Sequence, residues 1–134
     1  MAEHTITSPF EVFAWEVLPY DEEPTHARLT RVHVRKRFSG SLDGESDAEL
    51  LMAEGEGGRG YVASELFEGS LDGRPGTFVL QHGGVDDGED PYTYGTVVPG
   101  TGTDELVGLK GTVVFAHDEE GARLTLTYAL PGGS

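Results

Sequence analysis

Apolar and polar residues alternate along this chain in short runs, and glycine or proline interrupts each run after a few residues. From Ala27 to Phe38 the alternation is plain. Val32, Val34 and Phe38 fall on one face, with Arg31, His33, Arg35 and Arg37 on the other. Period two with β-branched residues predicts a strand. Comparable runs cover Thr5–Leu18 (broken by Pro9), Ala48–Ala53, Tyr61–Glu68, Thr77–His82, Tyr92–Val98, Thr112–His117 and Arg123–Leu130. In the last, Leu124, Leu126, Tyr128 and Leu130 share a face opposite Arg123, Thr125 and Thr127. Ala48–Ala53 has good helix propensity, but its flanking glycines and short length favour a strand.

Eight strands without a long helix predict an all-β fold, a closed antiparallel eight-stranded β-barrel over residues 1–134 as one domain. A barrel of that size either fills with side chains or holds one small ligand, and closure removes exposed sheet edges. One segment recurs: Phe38-Ser-Gly-Ser-Leu-Asp-Gly44 returns as Phe67-Glu-Gly-Ser-Leu-Asp-Gly73. Each copy is expected to end a strand and supply Asp-Gly to a tight hairpin. Convergence on turn chemistry and a true structural repeat both account for the match.

Composition narrows the function. Acidic residues number 24 against 9 basic, a net charge of −15, which argues against a nucleic-acid surface. No apolar run reaches membrane-spanning length, and the N-terminus lacks the form of a signal peptide. Cysteine is absent, which excludes disulfides, thiolate metal sites and cysteine catalysis. A soluble, cytoplasmic protein is expected. The 20 glycines, set among aromatic and β-branched residues, read as turn chemistry.

Several motifs fail on inspection. Gly55-Glu-Gly-Gly-Arg-Gly60 matches a dinucleotide pattern but leads into a strand, and Glu56 would repel a pyrophosphate. Asp86–Asp90 lacks the ligand spacing of a calcium loop. The histidines at 4, 26, 33, 82 and 117 show no zinc spacing, and no serine sits in a nucleophile elbow. No metal, flavin or nucleotide cofactor is therefore expected.

Two residues remain as candidate chemistry. Glu65 shares a strand face with Tyr61, Ala63 and Phe67. Pointing inward, its carboxyl would sit in an aromatic, poorly hydrated setting that raises its pKa toward acid–base work; pointing outward, or paired with arginine, it would not. His82 follows Phe78 and Leu80 on one face at a strand end, placed either as an acid–base group or as a satisfied boundary residue. The strands of Glu65 and His82 are joined through Gly69–Gly73, so a hairpin is expected. It brings His82 nearer Tyr61 than Glu65, with no direct contact between the two candidates required. Trp15, Tyr61, Phe67, Phe78, Leu80, Tyr94 and Tyr128 are the candidate pocket lining, with Tyr94 or Tyr128 as a secondary donor. The stripe Arg31, His33, Arg35 and Arg37 reads as an exterior face paired with acidic strands, or as an anion site or subunit contact.

Three stretches carry a family resemblance: Gly69–Arg74, Thr77–Gly84 and, most specifically, Val97-Val-Pro-Gly-Thr-Gly-Thr-Asp-Glu-Leu-Val-Gly-Leu-Lys-Gly111. They resemble an uncharacterised bacterial family of unknown function, over about Phe10 to Leu130. The resemblance implies a barrel similar to plant allene oxide cyclase, in a class that includes dirigent proteins and polyketide cyclases. Such relatives use no redox cofactor and mould a flexible apolar substrate for ring closure. No catalytic residue of the plant enzyme is matched by motif here, so none is transferred.

The expected function is a barrel that binds a small hydrophobic molecule, acting as a cofactor-independent cyclase or isomerase. A non-catalytic carrier, and a structural, homo-oligomeric barrel with a filled core, are the alternatives. Ring closure in a preorganised site is largely an entropy problem and needs no nucleophile.

Overall fold

The computed structural model describes residues 2–19 and 27–131. Eight strands follow one another around a closed antiparallel barrel: β1 His4–Pro19, β2 Arg28–Phe38, β3 Leu42–Gly55, β4 Gly58–Leu71, β5 Arg74–Asp86, β6 Tyr92–Val97, β7 Lys110–Asp118 and β8 Gly121–Ala129. Each strand pairs with its neighbours in sequence, and β1 closes the ring on β8 through Ile6↔Leu126 and flanking pairs. The one helical turn among the described residues, Asp104–Leu106, is 3-10 in form. Ala48–Ala53 lies within β3, so sheet context overrides its helix propensity.

Alternation sets the interior as expected. Val32, Val34, Phe38, Leu124, Leu126 and Tyr128 all point inward and are buried. Two apolar clusters fill the barrel unequally. At one end Phe38, Leu42, Phe67, Leu71, Phe78, Leu80, Leu106, Leu124, Leu126 and neighbours pack densely, and the helical turn caps them. Toward the other end the core is thinner, built from Val32, Val34, Ala48, Leu50 and Ala63, with Met52 and Tyr61 against it.

Several strands run further than their sequence pattern. β1 continues through Pro9, which pairs with Arg123 on β8. β3 begins at Leu42 rather than Ala48. The repeated segment is not used twice in the same way. Asp72-Gly73 makes the β4–β5 turn as expected, with positive φ at both residues. In the first copy the turn falls at Gly40-Ser41, and Asp43-Gly44 lies inside β3. Leu42 and Leu71 of the two copies then pair directly across β3 and β4. Gly55–Gly60 forms the β3–β4 hairpin, with Gly57 at positive φ in its turn.

A bulge in β1 between Val12 and Ala14 shifts the register. Directly opposed residues of an antiparallel pair share a face. Val12, Trp15 and Val17 oppose Lys36, Val34 and Val32, all buried inward-facing residues, and so face inward too. All three are nevertheless exposed, which marks this end of the barrel as open. Phe13, between them, turns outward beneath the Arg35 and Arg37 guanidinium groups.

Candidate functional site

Between the filled and open halves lies a layer of polar side chains. Parity puts them there: Lys36 lies between Val34 and Phe38 on β2, and Ser46 between Gly44 and Ala48 on β3. Glu65 lies between Ala63 and Phe67 on β4, and His82 between Leu80 and Gly84 on β5. Glu65 is 1% exposed and His82 4%.

The Glu65 carboxylate accepts three hydrogen bonds. Lys36 Nζ donates to Oε1 at 3.0 Å, Ser46 Oγ donates to Oε2 at 2.6 Å, and His82 Nε2 lies 2.7 Å from Oε1. The other imidazole nitrogen, Nδ1, is 3.0 Å from the Tyr61 hydroxyl. A continuous chain therefore runs from Lys36 and Ser46 through Glu65 and His82 to Tyr61. The direct contact of Glu65 with His82 differs from the looser arrangement expected from the sequence. His82 opposes Ala63 in the β4–β5 ladder, so it stands diagonal to both Tyr61 and Glu65 and reaches each with one nitrogen.

Aromatic rings enclose this chain. Phe115 lies against the His82 ring with centroids 4.4 Å apart. Lys36 Nζ is 4.5 Å from the Phe115 centroid and 4.8 Å from that of Phe10, so its charge is met by two ring faces as well as by Glu65. Two glycines make the room. A Cβ on Gly95, which opposes His82 across β5 and β6, would stand 2.6 Å from the His82 Cβ. One on Gly84 would stand 2.8 Å from the Tyr61 ring.

Burial pushes the Glu65 carboxyl toward the neutral form. The hydrogen bond from His82, the Lys36 charge, the charge the His82 ring carries once protonated, and the Ser46 hydroxyl outweigh it, and the carboxyl is held down at about 2. It is ionised at neutral pH, the reverse of the raised pKa expected from its apolar strand face, because Lys36, Ser46 and His82 all donate to it. Burial, the Glu65 charge and Tyr94 push the Tyr61 hydroxyl up to about 12, so it keeps its proton.

The chain ends at an opening. A cavity of about 250 Å3 reaches Lys36, Tyr61 and His82 and is walled by Phe10, Val12, Trp15, Val34, Leu50 and Phe115. A wider cleft of about 690 Å3, sharing Tyr61, Thr93, Phe115, Ala116 and His117 with it, extends past Tyr92 and Val114 to Arg59 and Asp86. It follows the β6–β7 seam, whose ladder has the single pair Thr96↔Thr112. Nearer the mouth Thr93 Oγ1 replaces the ladder: it donates to the Phe115 carbonyl at 3.0 Å and accepts from the Phe115 amide at 2.9 Å. That bond pair fixes the Phe115 backbone, and so the ring that covers His82.

Of the residues singled out from the sequence, Glu65, His82 and Tyr61 come together, and Trp15 borders the cavity at the mouth, 55% exposed. The others do not line it. Phe67, Phe78 and Leu80 are buried in the filled half. Tyr128 points inward near the opposite end, where its hydroxyl donates to Asp72; burial first, and then Asp72, push that hydroxyl up to about 12. Tyr94 is on the outer wall, 47% exposed, because β6 turns Thr93, Gly95 and Val97 inward instead. The sequence pattern does not single out Ser46, Thr93 or Phe115, whereas parity with Val34 and Phe38 puts Lys36 on the inner face. The Arg31, His33, Arg35 and Arg37 stripe is an exterior face, paired with Glu49, Asp47 and Glu45 of β3.

These features define a class: an eight-stranded meander barrel, filled at one end, with a buried ion cluster opening to an apolar cavity. The chain belongs to the DUF3224 family, proteins of unknown function, whose profile matches residues 6–129. It is similar to a solved protein of unknown function from that family in Shewanella oneidensis MR-1. The two are 30% identical with a TM-score of 0.81, over 96% of this chain and 98% of the other. No curated protein matches it. Among the described residues no helix is long and apolar enough to cross a membrane.

Proposed function

We propose that this barrel binds a small, largely apolar molecule in its open half and moves a proton on it without a cofactor, as an isomerase or cyclase. The observation that carries this reading is the Glu65–His82–Tyr61 chain, buried at one end and meeting an aromatic-walled cavity at the other. A carboxylate behind an imidazole fixes the ring and stabilises the imidazolium that forms when His82 Nδ1 takes a proton. Tyr61 Oη would accept the substrate's proton as its own proton passes to Nδ1. Phe115, Phe10 and Trp15 would hold the apolar body, and restricting a flexible substrate in that space lowers the barrier to ring closure.

Lys36 sets the resting charge of the cluster. Its ammonium lies 3.0 Å from the Glu65 carboxylate and balances that charge. The cysteine-free composition suits a reducing cytoplasmic setting.

The test is solvent deuterium incorporation at carbon into a panel of small phenols, stable enols and their keto tautomers, followed by proton NMR. Exchange above the buffer rate that is lost in Tyr61→Phe and His82→Ala supports the proposal. Saturable binding without exchange on any member of the panel would instead make the barrel a carrier.

A further inference from the structure

We infer that the substrate or ligand of this cavity presents a hydroxyl hydrogen to Tyr61, as an enol, phenol or alcohol does, rather than a bare carbonyl oxygen. This rests on the apolar-site reading above and specifies its ligand class. The argument is one of hydrogen-bond direction. A carboxylate only accepts, and Glu65 already takes Lys36 on Oε1 and Ser46 on Oε2. With His82 Nε2 only 2.7 Å from Oε1, that nitrogen must carry the hydrogen. In the neutral ring Nδ1 is then a lone pair, and the Tyr61 hydroxyl 3.0 Å away is its donor.

Tyr61 has one hydrogen, and His82 uses it. What its oxygen still offers is an acceptor. The cluster thus imposes one polarity over its whole length, starting from the buried carboxylate and ending at the cavity. A carbonyl ligand meets an oxygen with no free hydrogen, whereas a hydroxyl ligand completes the chain. Of the other donors lining the inner cavity, Lys36 is committed to Glu65 and seated between the Phe10 and Phe115 faces, the Thr93 hydroxyl donates to the Phe115 carbonyl, and His117 is exposed, away from the buried cluster. The Lys36 ammonium disfavours a cationic ligand beside it. A ligand carboxylate would have to displace Glu65 from it or approach Glu65 itself. A neutral hydroxyl compound has neither conflict. Size agrees: the inner cavity of about 250 Å3 suits a ring system of one or two rings, with the cleft left for a longer tail.

The experiment uses the full chain and three neutral probes of one shape: 2-naphthol, 2-methoxynaphthalene and 2-acetylnaphthalene, with naphthalene as the apolar reference. Dissociation constants are read by fluorescence titration. We expect 2-naphthol to bind about tenfold tighter than its methyl ether, a gap of about 1.4 kcal/mol, and Tyr61→Phe to erase the gap while naphthalene affinity holds. Because variants can misfold, a second readout needs none: the nitrogen-15 shifts of His82 in the wild-type protein should show hydrogen on Nε2 and a bare, hydrogen-bonded Nδ1. Equal binding of 2-naphthol and its ether, preference for 2-acetylnaphthalene, or hydrogen on Nδ1 would each overturn the inference while leaving an apolar site intact. Failure of all four compounds to bind, naphthalene included, would overturn the apolar site and the inference together.

Discussion

The ionised group at the centre of the barrel, Glu65, has three donors, and its neighbours do not depend on it equally. Among the described residues, this carboxylate is the one hydrogen-bond acceptor of Lys36 Nζ, which otherwise meets the two ring faces. Glu65 has Ser46 and His82 in addition to Lys36. Removing one member of a buried pair costs about 3–5 kcal/mol when the charge left behind is uncompensated. Glu65→Gln should fall in that range, since it strands Lys36, and Lys36→Met should cost less; urea melts at neutral pH rank the two. The pH dependence follows with a definite sign. The folded carboxyl titrates at about 2 against an ordinary value of 4.5, so its contribution is complete above about 4.5 and is lost as pH falls toward 2. The stability gap between wild type and Glu65→Gln should therefore shrink across that window, and a gap constant from pH 6 to pH 3 would contradict it.

At the scale of the strand, parity made most of the interior legible. Glu65, Tyr61 and His82 were found because their strands alternate with large apolar neighbours. Lys36 has the same parity as Val32, Val34 and Phe38, but three arginines and a histidine close by disguise it as part of a solvated stripe. β6 is deceptive for the opposite reason. Its inward residues Thr93 and Gly95 are small or polar, while Tyr92 and Tyr94 on the outer wall look like core. Gly95 is small because His82 occupies the space its side chain would need, a tertiary demand that no local pattern carries. The turn of the first repeat copy and the β1 bulge likewise depend on register with a partner strand. The glycine argument is testable. Gly95→Ala should destabilise the fold and move the His82 ring resonances, because its Cβ meets His82 and Val113 within 2.7 Å. Alanine at Gly121, where a Cβ meets nothing within 4 Å but φ is +94°, should cost stability through backbone strain alone and leave those resonances in place.

The whole molecule is asymmetric along its axis, and that asymmetry separates stability from binding. The filled half holds the three fully buried phenylalanines, Phe38, Phe67 and Phe78, and most of the leucines; the open half holds valine, alanine and the exposed inward face of β1. Packing near native density makes truncation costly, whereas a cavity can accept added volume with little strain. Leu126→Ala, deep in the filled half, should therefore lower stability by about 2–5 kcal/mol and leave the affinity for 2-naphthol nearly unchanged. Val34→Phe places a ring where Trp15, Val12 and Leu50 surround the inner cavity, at the level of the hydrogen-bonded cluster's open end. It should change the melting temperature little and abolish 2-naphthol binding. Thermal melts paired with fluorescence titrations on the two variants read both quantities. If Val34→Phe binds as well as wild type, the ligand does not sit in this cavity. If Leu126→Ala loses binding in proportion to stability, the two ends are one cooperative unit and the division of labour between them is wrong.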